Sequence, residues 1–480
     1  MTEKIPKLEP TILVIFGITG DLAKRKLLPA LYHLIKDGLL HEHTEIVGIT
    51  RGNLTLDELL VTIELCVNEV DGLCDPEVVK KLKSHLQLRT MDVTNPEEYN
   101  LLRLDLDKIE DRYKVHMNRL FYLSIPPNVS QSIITALGEH GMNTSCQHGA
   151  ASTRLLVEKP FGYDLESAKQ MLEATATYFG EDQIFRIDHY LAKETVQNIL
   201  AFRFNNPIFE SIWNNKHVAY IEIIANEKLG IEGRVGFYEP TGALRDLIQN
   251  HLLQVLAIVT LEQPMKDSSD SLHEAKIKLF KSIRAILPDQ VIEESVRGQY
   301  EHYSHEVSNP NSLTETYAAV RLFIDNKRWQ DVPMIVRTGK AMKDKLSCVR
   351  VVFKPLESAP HHNVLTFRLQ PNEGIELSLR VKRPGFENDI QQADMDFDYR
   401  RSFNVTNHPD AYERVLVDAV RGDHTLFAAG EEIIESWRVV QAVVHEWSKS
   451  NNGLQVYGKN SHGPDLPKSW NVIQPNKTQG

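Results

Sequence analysis

Thr11-Ile-Leu-Val-Ile-Phe16 is a continuous apolar run. Without polar alternation, it suits a parallel strand buried on both faces. Gly17-Ile-Thr-Gly20 follows, and then a helical pattern from Asp21 to about Lys36, with Gly38 placed to end it. Pro29 inside that pattern predicts a kink or a division. Further strands are expected at 45–49, 86–91, 119–124, 154–157 and 183–187, with helical stretches between most of them. Strand and helix in alternation predict a parallel, doubly wound, Rossmann-like α/β domain.

The pattern changes near Asp188, which divides the chain into 1–187 and 188–480. In the second part apolar and polar residues alternate with period two at 363–370 and 374–383. Similar strands are expected at 218–225, 319–324, 333–337 and 347–353. Such a series predicts an α+β domain, a large, mainly antiparallel sheet with one face packed on helices. Its other face must meet solvent or another subunit. Two helices stand out. The 241–262 stretch is strongly apolar, and 431–448 places Ile433, Trp437, Val440, Val444 and Trp447 on one side. The tail from Asn451, rich in Gly, Pro and Asn, reads as extended or mobile.

Length and charge narrow the function classes. At about 150 residues per domain, 480 residues predict two or three domains. Lys and Arg number 54 against 65 Asp and Glu, a net charge of −11. An acidic chain is a poor general binder of nucleic acid, so an anionic ligand needs a local cationic pocket. No apolar run reaches the ~18 residues of a membrane span, and MTEKIPKLEP lacks the apolar core of a secretory signal. The four cysteines, Cys66, Cys74, Cys146 and Cys348, form no CxxC pair. They read as free thiols in a reducing cytoplasm. His41/His43 and His361/His362 lack cysteine partners at ligand spacing, so no metal is expected.

A glycine turn between a buried strand and a helix presents backbone N–H groups to phosphate, aided by the helix dipole. Gly17, Thr19, Gly20, Asp21 and Leu22 occupy that context. The plain alternative is an ordinary strand-to-helix turn. The second strand ends Val47-Gly-Ile-Thr-Arg51. A basic residue there matches the 2′-phosphate of NADP, which the carboxylate typical of an NAD site would repel. The alternative is a solvated surface arginine, and NAD use stays open as the weaker option.

Three stretches carry more than spacing: Gly17-Ile-Thr-Gly-Asp-Leu-Ala-Lys-Arg-Lys26, Glu158-Lys-Pro-Phe-Gly162 and Arg186-Ile-Asp-His-Tyr-Leu-Ala-Lys-Glu194. In this order they resemble the glucose-6-phosphate dehydrogenase family. Gly242-Ala-Leu-Arg-Asp-Leu-Ile-Gln-Asn-His-Leu252, Val336-Arg-Thr-Gly-Lys340, Gln370-Pro-Asn-Glu373 and Asp410-Ala-Tyr-Glu-Arg-Val-Leu416 resemble its later motifs. The resemblance runs from about Ile12 to Trp437. It implies oxidation of the C1 hydroxyl of glucose 6-phosphate to 6-phosphogluconolactone with hydride transfer to NADP, the first step of the oxidative pentose phosphate pathway. It also implies a homodimer or homotetramer, an NADP-binding domain at 1–187, and a substrate-binding and oligomerisation domain at 188–480.

The resemblance assigns roles residue by residue. His251 matches the general base; a neutral imidazole suits proton abstraction near pH 7. On its own, His251 reads as a satisfied core histidine, between Leu247, Ile248 and Val255 on an apolar helical face. Asp188 matches the carboxylate that orients it, and otherwise reads as a capping aspartate. His189, Tyr190 and Lys193 match phosphate-binding positions, with Tyr190 and Lys193 one helical turn apart. Singly, each reads as a surface or capping residue. Lys340 matches a substrate-binding lysine, and Glu227, Asp246 and Gln370 match contacts to sugar hydroxyls. Asp246 lies five residues before His251, which in an α-helix puts the two on different faces. Lys26 and Lys159 match lysines at the junction of cofactor and substrate, and the resemblance implies a cis Lys159–Pro160 bond. Ala192 departs from the family's usual glycine; it fits a helical turn but would strain a position needing φ > 0.

Two other readings compete. Another NAD(P)-dependent sugar or polyol dehydrogenase would need no phosphate cluster at His189, Tyr190 and Lys193. A catalytically inert NADPH-sensing protein would keep the Gly17–Gly20 turn without needing both Asp188 and His251.

Overall fold

The computed structural model describes residues 6–52, 54–144, 151–403 and 409–472; Cys146 lies outside them. The first sheet has six parallel strands: β1 (Thr11–Phe16), β2 (Glu45–Thr50), β3 (Leu86–Thr90), β4 (Asn118–Leu123), β5 (Thr153–Val157) and β6 (Ile184–Arg186), in the order β3-β2-β1-β4-β5-β6. β1 sits centrally, and all of it is buried. Its alternate residues feed two cores: Ile12, Val14 and Phe16 face one helical layer, Leu13 and Ile15 the other. This is why its sequence is apolar without a break.

The first helix divides where Pro29 predicts. A π-helical turn, Ala23–Leu27, passes into an α-helix, Leu28–Lys36, with the proline in its first turn. A proline lacks the N–H that a helix interior needs, and the first turn does not miss it. Gly38, at φ +70°, closes the helix as expected.

The second sheet has nine strands: β7 (Val218–Asn226), β8 (Ser295–Tyr300), β9 (Tyr317–Leu322), β10 (Met334–Gly339), β11 (Leu346–Phe353), β12 (Val364–Gln370), β13 (Gly374–Lys382), β14 (Ile390–Asp398) and β15 (Leu454–Tyr457). Their order is β14-β13-β12-β11-β7-β10-β9-β8-β15. Most neighbours are antiparallel; β7 with β10 and β8 with β15 are parallel. One face, with Ile221, Ile223, Val320, Val336, Val349 and Val351, packs on helices that include Leu253–Thr260 and Gly430–Lys449.

Two expectations are corrected here. The tail is not wholly extended or mobile: Leu454–Tyr457 adds a parallel edge strand to β8, and Tyr457 and Trp470 are buried. The second face of the sheet does not meet only solvent or another subunit. Tyr457 and Trp470 from the tail join Tyr220, Tyr317, Ala319, Ile335 and Val352 in a separate core. The β13–β14 end of the sheet is open, where Val381, Ile390 and Met395 are exposed.

The apolar 241–262 stretch holds the other difference. Leu244–Leu252 is π-helical, and only Leu253–Thr260 is α-helical.

Candidate active site

The end of β1 shows why Gly17 is glycine. Its φ is +82°, and a Cβ would stand 2.3 Å from the Ser124 carbonyl oxygen beyond β4. The Gly20 N–H donates to the Gly17 carbonyl at 2.9 Å, closing the turn. N–H groups in a helix's first turn have no intrahelical acceptor. Those around Asp21 and Leu22 therefore open, beside Thr19, at the C-terminal edge of the sheet. The strand order reverses between β1 and β4, where open α/β sheets hold dinucleotides. Arg51 follows the neighbouring β2 and is exposed. A tight turn, a free helix N-terminus and a nearby guanidinium fit a phosphate-bearing dinucleotide. Lys26 is half-exposed, with its Nζ 3.2 Å from Asp410 Oδ2.

Asp188 follows β6 by two residues, and the π-helix delivers His251 to it. Nδ1 of His251 lies 2.6 Å from Asp188 Oδ1, and both side chains are buried. The Tyr190 N–H donates to the same carboxylate oxygen at 2.9 Å. An Asp acceptor at Nδ1 selects the tautomer with the proton there, leaving the Nε2 lone pair free. Nε2 is buried and has no hydrogen-bond partner among the described residues. Burial pushes the imidazole below its ordinary 6.5, and Asp188 pulls partly back. Burial opposes ionisation of Asp188 too, but His251, His189 and the Tyr190 N–H together hold the carboxyl below the usual range. His189, 4.2 Å from the His251 ring, is pushed well down by burial and by neighbouring His251 and Lys159. The Tyr190 ring stacks on His251 at 4.9 Å.

Asp246 and His251 both fall in the π-helix and not in an α-helix, whose spacing would put them on separate faces. A π-turn closes through i→i+5 bonds, so residues five apart come back into line. The pair still makes no dyad, because lysines take up Asp246. Lys159 Nζ donates to its Oδ1 at 3.0 Å and to its backbone carbonyl at 2.7 Å. Lys340 Nζ is 3.5 Å from Oδ2 and 2.5 Å from Glu227 Oε2. The Lys159–Pro160 bond is cis, as the resemblance implies.

The turn after Asp188 gathers the remaining residues. Lys193 Nζ stands 4.1 Å over the Tyr190 ring and donates to Gln370 Oε1 at 3.2 Å. Burial, and then repulsion from Lys345, push the Lys193 ammonium down to about 8. Burial raises the Tyr190 phenol to about 12, against a hydrogen bond with Ser347. Ala192 is buried and is not among the residues with positive φ, so it causes no strain. Lys345 and Ser347 escape the sequence reading. The only signal is a third lysine in Lys340-Ala-Met-Lys-Asp-Lys345, whose nearness to Lys193 depends on the sheet.

A doubly wound sheet with a phosphate-type turn, joined to a buried His–Asp pair beside a ring of lysines, defines a nicotinamide-dinucleotide oxidoreductase. Residues 14–198 match the description "Glucose-6-phosphate dehydrogenase, NAD binding domain", and residues 200–474 match "Glucose-6-phosphate dehydrogenase, C-terminal domain". Among curated relatives, glucose-6-phosphate 1-dehydrogenase of Chlamydia muridarum is 38% identical, with 94% of this chain and 92% of the relative covered. That of Bacillus subtilis is 36% identical, with 96% of each covered. A solved glucose-6-phosphate dehydrogenase in complex with its substrate glucose-6-phosphate superposes with a TM-score of 0.87 at 32% identity, covering 96% of this chain and 97% of that one. The chain belongs to the glucose-6-phosphate dehydrogenase family. No helix among the described residues is long and apolar enough to cross a membrane.

Proposed function

We propose that the protein oxidises glucose 6-phosphate at C1 to 6-phosphogluconolactone, with NADP preferred over NAD, as the entry step of the oxidative pentose phosphate pathway. The observation that carries this reading is the free, buried Nε2 of His251 on an imidazole held by Asp188. His251 Nε2 takes the C1 hydroxyl proton while Asp188 stabilises the imidazolium that forms. The bound dinucleotide accepts the hydride that leaves the same carbon. Tyr190, Lys193 and His189 hold the phosphate. Glu227, Asp246 and Gln370 accept hydrogen bonds from sugar hydroxyls, with Lys340 and Lys159 fixing the carboxylates. Gly17, Thr19, Gly20, Asp21 and Leu22 receive the dinucleotide phosphates, Arg51 its 2′-phosphate, and Lys159 and Lys26 border the junction. A spectrophotometric assay with glucose 6-phosphate and glucose, each against NADP and NAD, tests this. Turnover of glucose alone, or of neither sugar, overturns it.

Two variants separate the subsites. Lys193→Gln is expected to raise KM for glucose 6-phosphate about 10- to 100-fold, the cost of one charge-assisted hydrogen bond of about 1.5–3 kcal/mol, with KM for NADP unchanged. Because Lys193 loses its charge as pH rises through about 8, KM for the sugar phosphate should climb above that pH in the wild type. Arg51→Ala is expected to cut the ratio of NADP to NAD efficiencies about 10-fold or more, since it removes the cation facing the 2′-phosphate. An unchanged ratio ends the assignment of Arg51.

The same reading places the cofactor domain at 1–187 and the substrate and oligomerisation domain at 188–480. It gives a homodimer or homotetramer, supported by the uncovered apolar positions Val381, Ile390 and Met395 on β13 and β14. A cytoplasmic location is supported by Cys66, Cys74 and Cys348, none of which is joined in a disulfide among the described residues.

A further inference from the structure

Gln249 in the π-helix Leu244–Leu252 and Gln254 in the first turn of the α-helix that follows it form a second polar pair besides Asp246 and His251. Gln249 Nε2 donates to Ser436 Oγ at 2.9 Å, and Gln254 Nε2 donates to Glu432 Oε2 at 2.9 Å. All four residues are buried. Ser436 and Glu432 are four apart on the Gly430–Lys449 helix, so they share one face. The glutamines that meet them are five apart. In an α-helix five residues make about 1.4 turns, which would point the two amides in different directions. The π-turn lets both reach one partner helix.

Neither anchor is free to follow a shifted glutamine. Glu432 is held from its other side by Lys276 Nζ at 2.8 Å and His273 Nδ1 at 2.7 Å, both on the Ser269–Ser282 helix. Ser436 Oγ donates to the Ile433 carbonyl at 2.8 Å, which leaves its lone pairs for Gln249. The far end of the segment is pinned as well. Arg203 donates to the Ile258 and Leu261 carbonyls at 3.0 and 2.8 Å, Trp213 to that of Val259 at 2.8 Å and Trp329 to that of Thr260 at 2.7 Å. The helix cannot slide as a rod, so any change of register falls within 244–252. An α register there would satisfy one glutamine and strand the other in the core. It would also part Asp246 from the line of His251.

We propose that Gln249 and Ser436, with Gln254 and Glu432, are positioning residues that hold this segment in π register and so keep His251 on Asp188 and Asp246 on Lys159 and Lys340. The inference rests on His251 being the base, and its test separates the two ideas. Ser436→Ala, Gln249→Met and the double variant would be compared with the wild type in full-length protein. The measurements are kcat, both KM values, thermal unfolding, and the Nδ1 proton signal of His251 by histidine-labelled NMR. Each single variant is expected to lower kcat about 10-fold, as a small misplacement of a reacting group does, and to raise KM for glucose 6-phosphate through the displaced Asp246, with KM for NADP nearly constant. Each should also move the Nδ1 signal, and the double variant should cost no more than either single one, because they break one bond. A moved signal with wild-type turnover upholds the positioning and removes His251 as base. Unchanged signal and kcat, additive losses, or a kcat loss that only tracks unfolded protein overturn the proposal.

Discussion

His251→Asn lowers kcat by about 10²-fold or more, the loss expected when a general base is removed, while KM for both substrates changes little. Asparagine keeps a polar atom near the position of Nδ1 but has no basic nitrogen where Nε2 stood. Nε2 is buried and has no hydrogen-bond partner among the described residues, so no group already bonded to it is placed to take over the proton. Steady-state kinetics with glucose 6-phosphate and NADP checks this, and turnover left intact removes His251 from the mechanism. The wild-type pH profile adds a sign. Burial lowers the imidazole below 6.5, so it stays neutral in mildly acidic solution. The acid limb of kcat/KM should therefore fall with an apparent value below 6.5, not above it.

Asp188→Asn carries the second large effect, about 10²- to 10⁴-fold in kcat by the logic of a buried carboxylate that sets a histidine tautomer. The amide can present its NH₂ to Nδ1, which turns the proton to Nε2 and blocks the base. The direction of the pH change is fixed as well. Asp188 raises the His251 value through its charge and its hydrogen bond, against the larger effect of burial. Without the charge, His251 becomes harder to protonate, and the acid limb moves to lower pH as the plateau drops. A limb that moves upward, or a plateau unchanged, contradicts the assigned role. His189→Ala is a useful comparison, because it lies beside the same ring without bonding to Asp188 in the structure. Its loss should act mainly on KM for the sugar phosphate.

Much of the fold was legible because its signals are local. A strand buried on both faces must be apolar throughout, and β1 is. Pro29 and Gly38 act on the backbone of their own turn, so the division and the end of the first helix follow from chemistry at those residues. The site was legible differently. No periodicity marks Asp188 or His251, which lie 63 residues apart and read singly as structural residues. Only the motif resemblance picked them out, and the fold brings them to 2.6 Å.

What stayed hidden depends on partners remote in sequence. β14 is too polar to announce itself, yet it pairs with β13 over nine positions, because backbone hydrogen bonds need no apolar pattern. β15 has four residues and exists through its pairing with β8. The π register is the sharpest case. Nothing in residues 244–252 announces a π-helix, and the wider turn is favoured by bonds to other elements: Asp188, Lys159, Lys340 and Ser436. By itself the sequence determined the two-part architecture, the phosphate-type turn and, through its motifs, the family. The tertiary structure alone decided which faces are covered and how the base meets its carboxylate. Those outcomes are set by which distant side chains satisfy one another in a shared interior, and no window along the chain contains both partners.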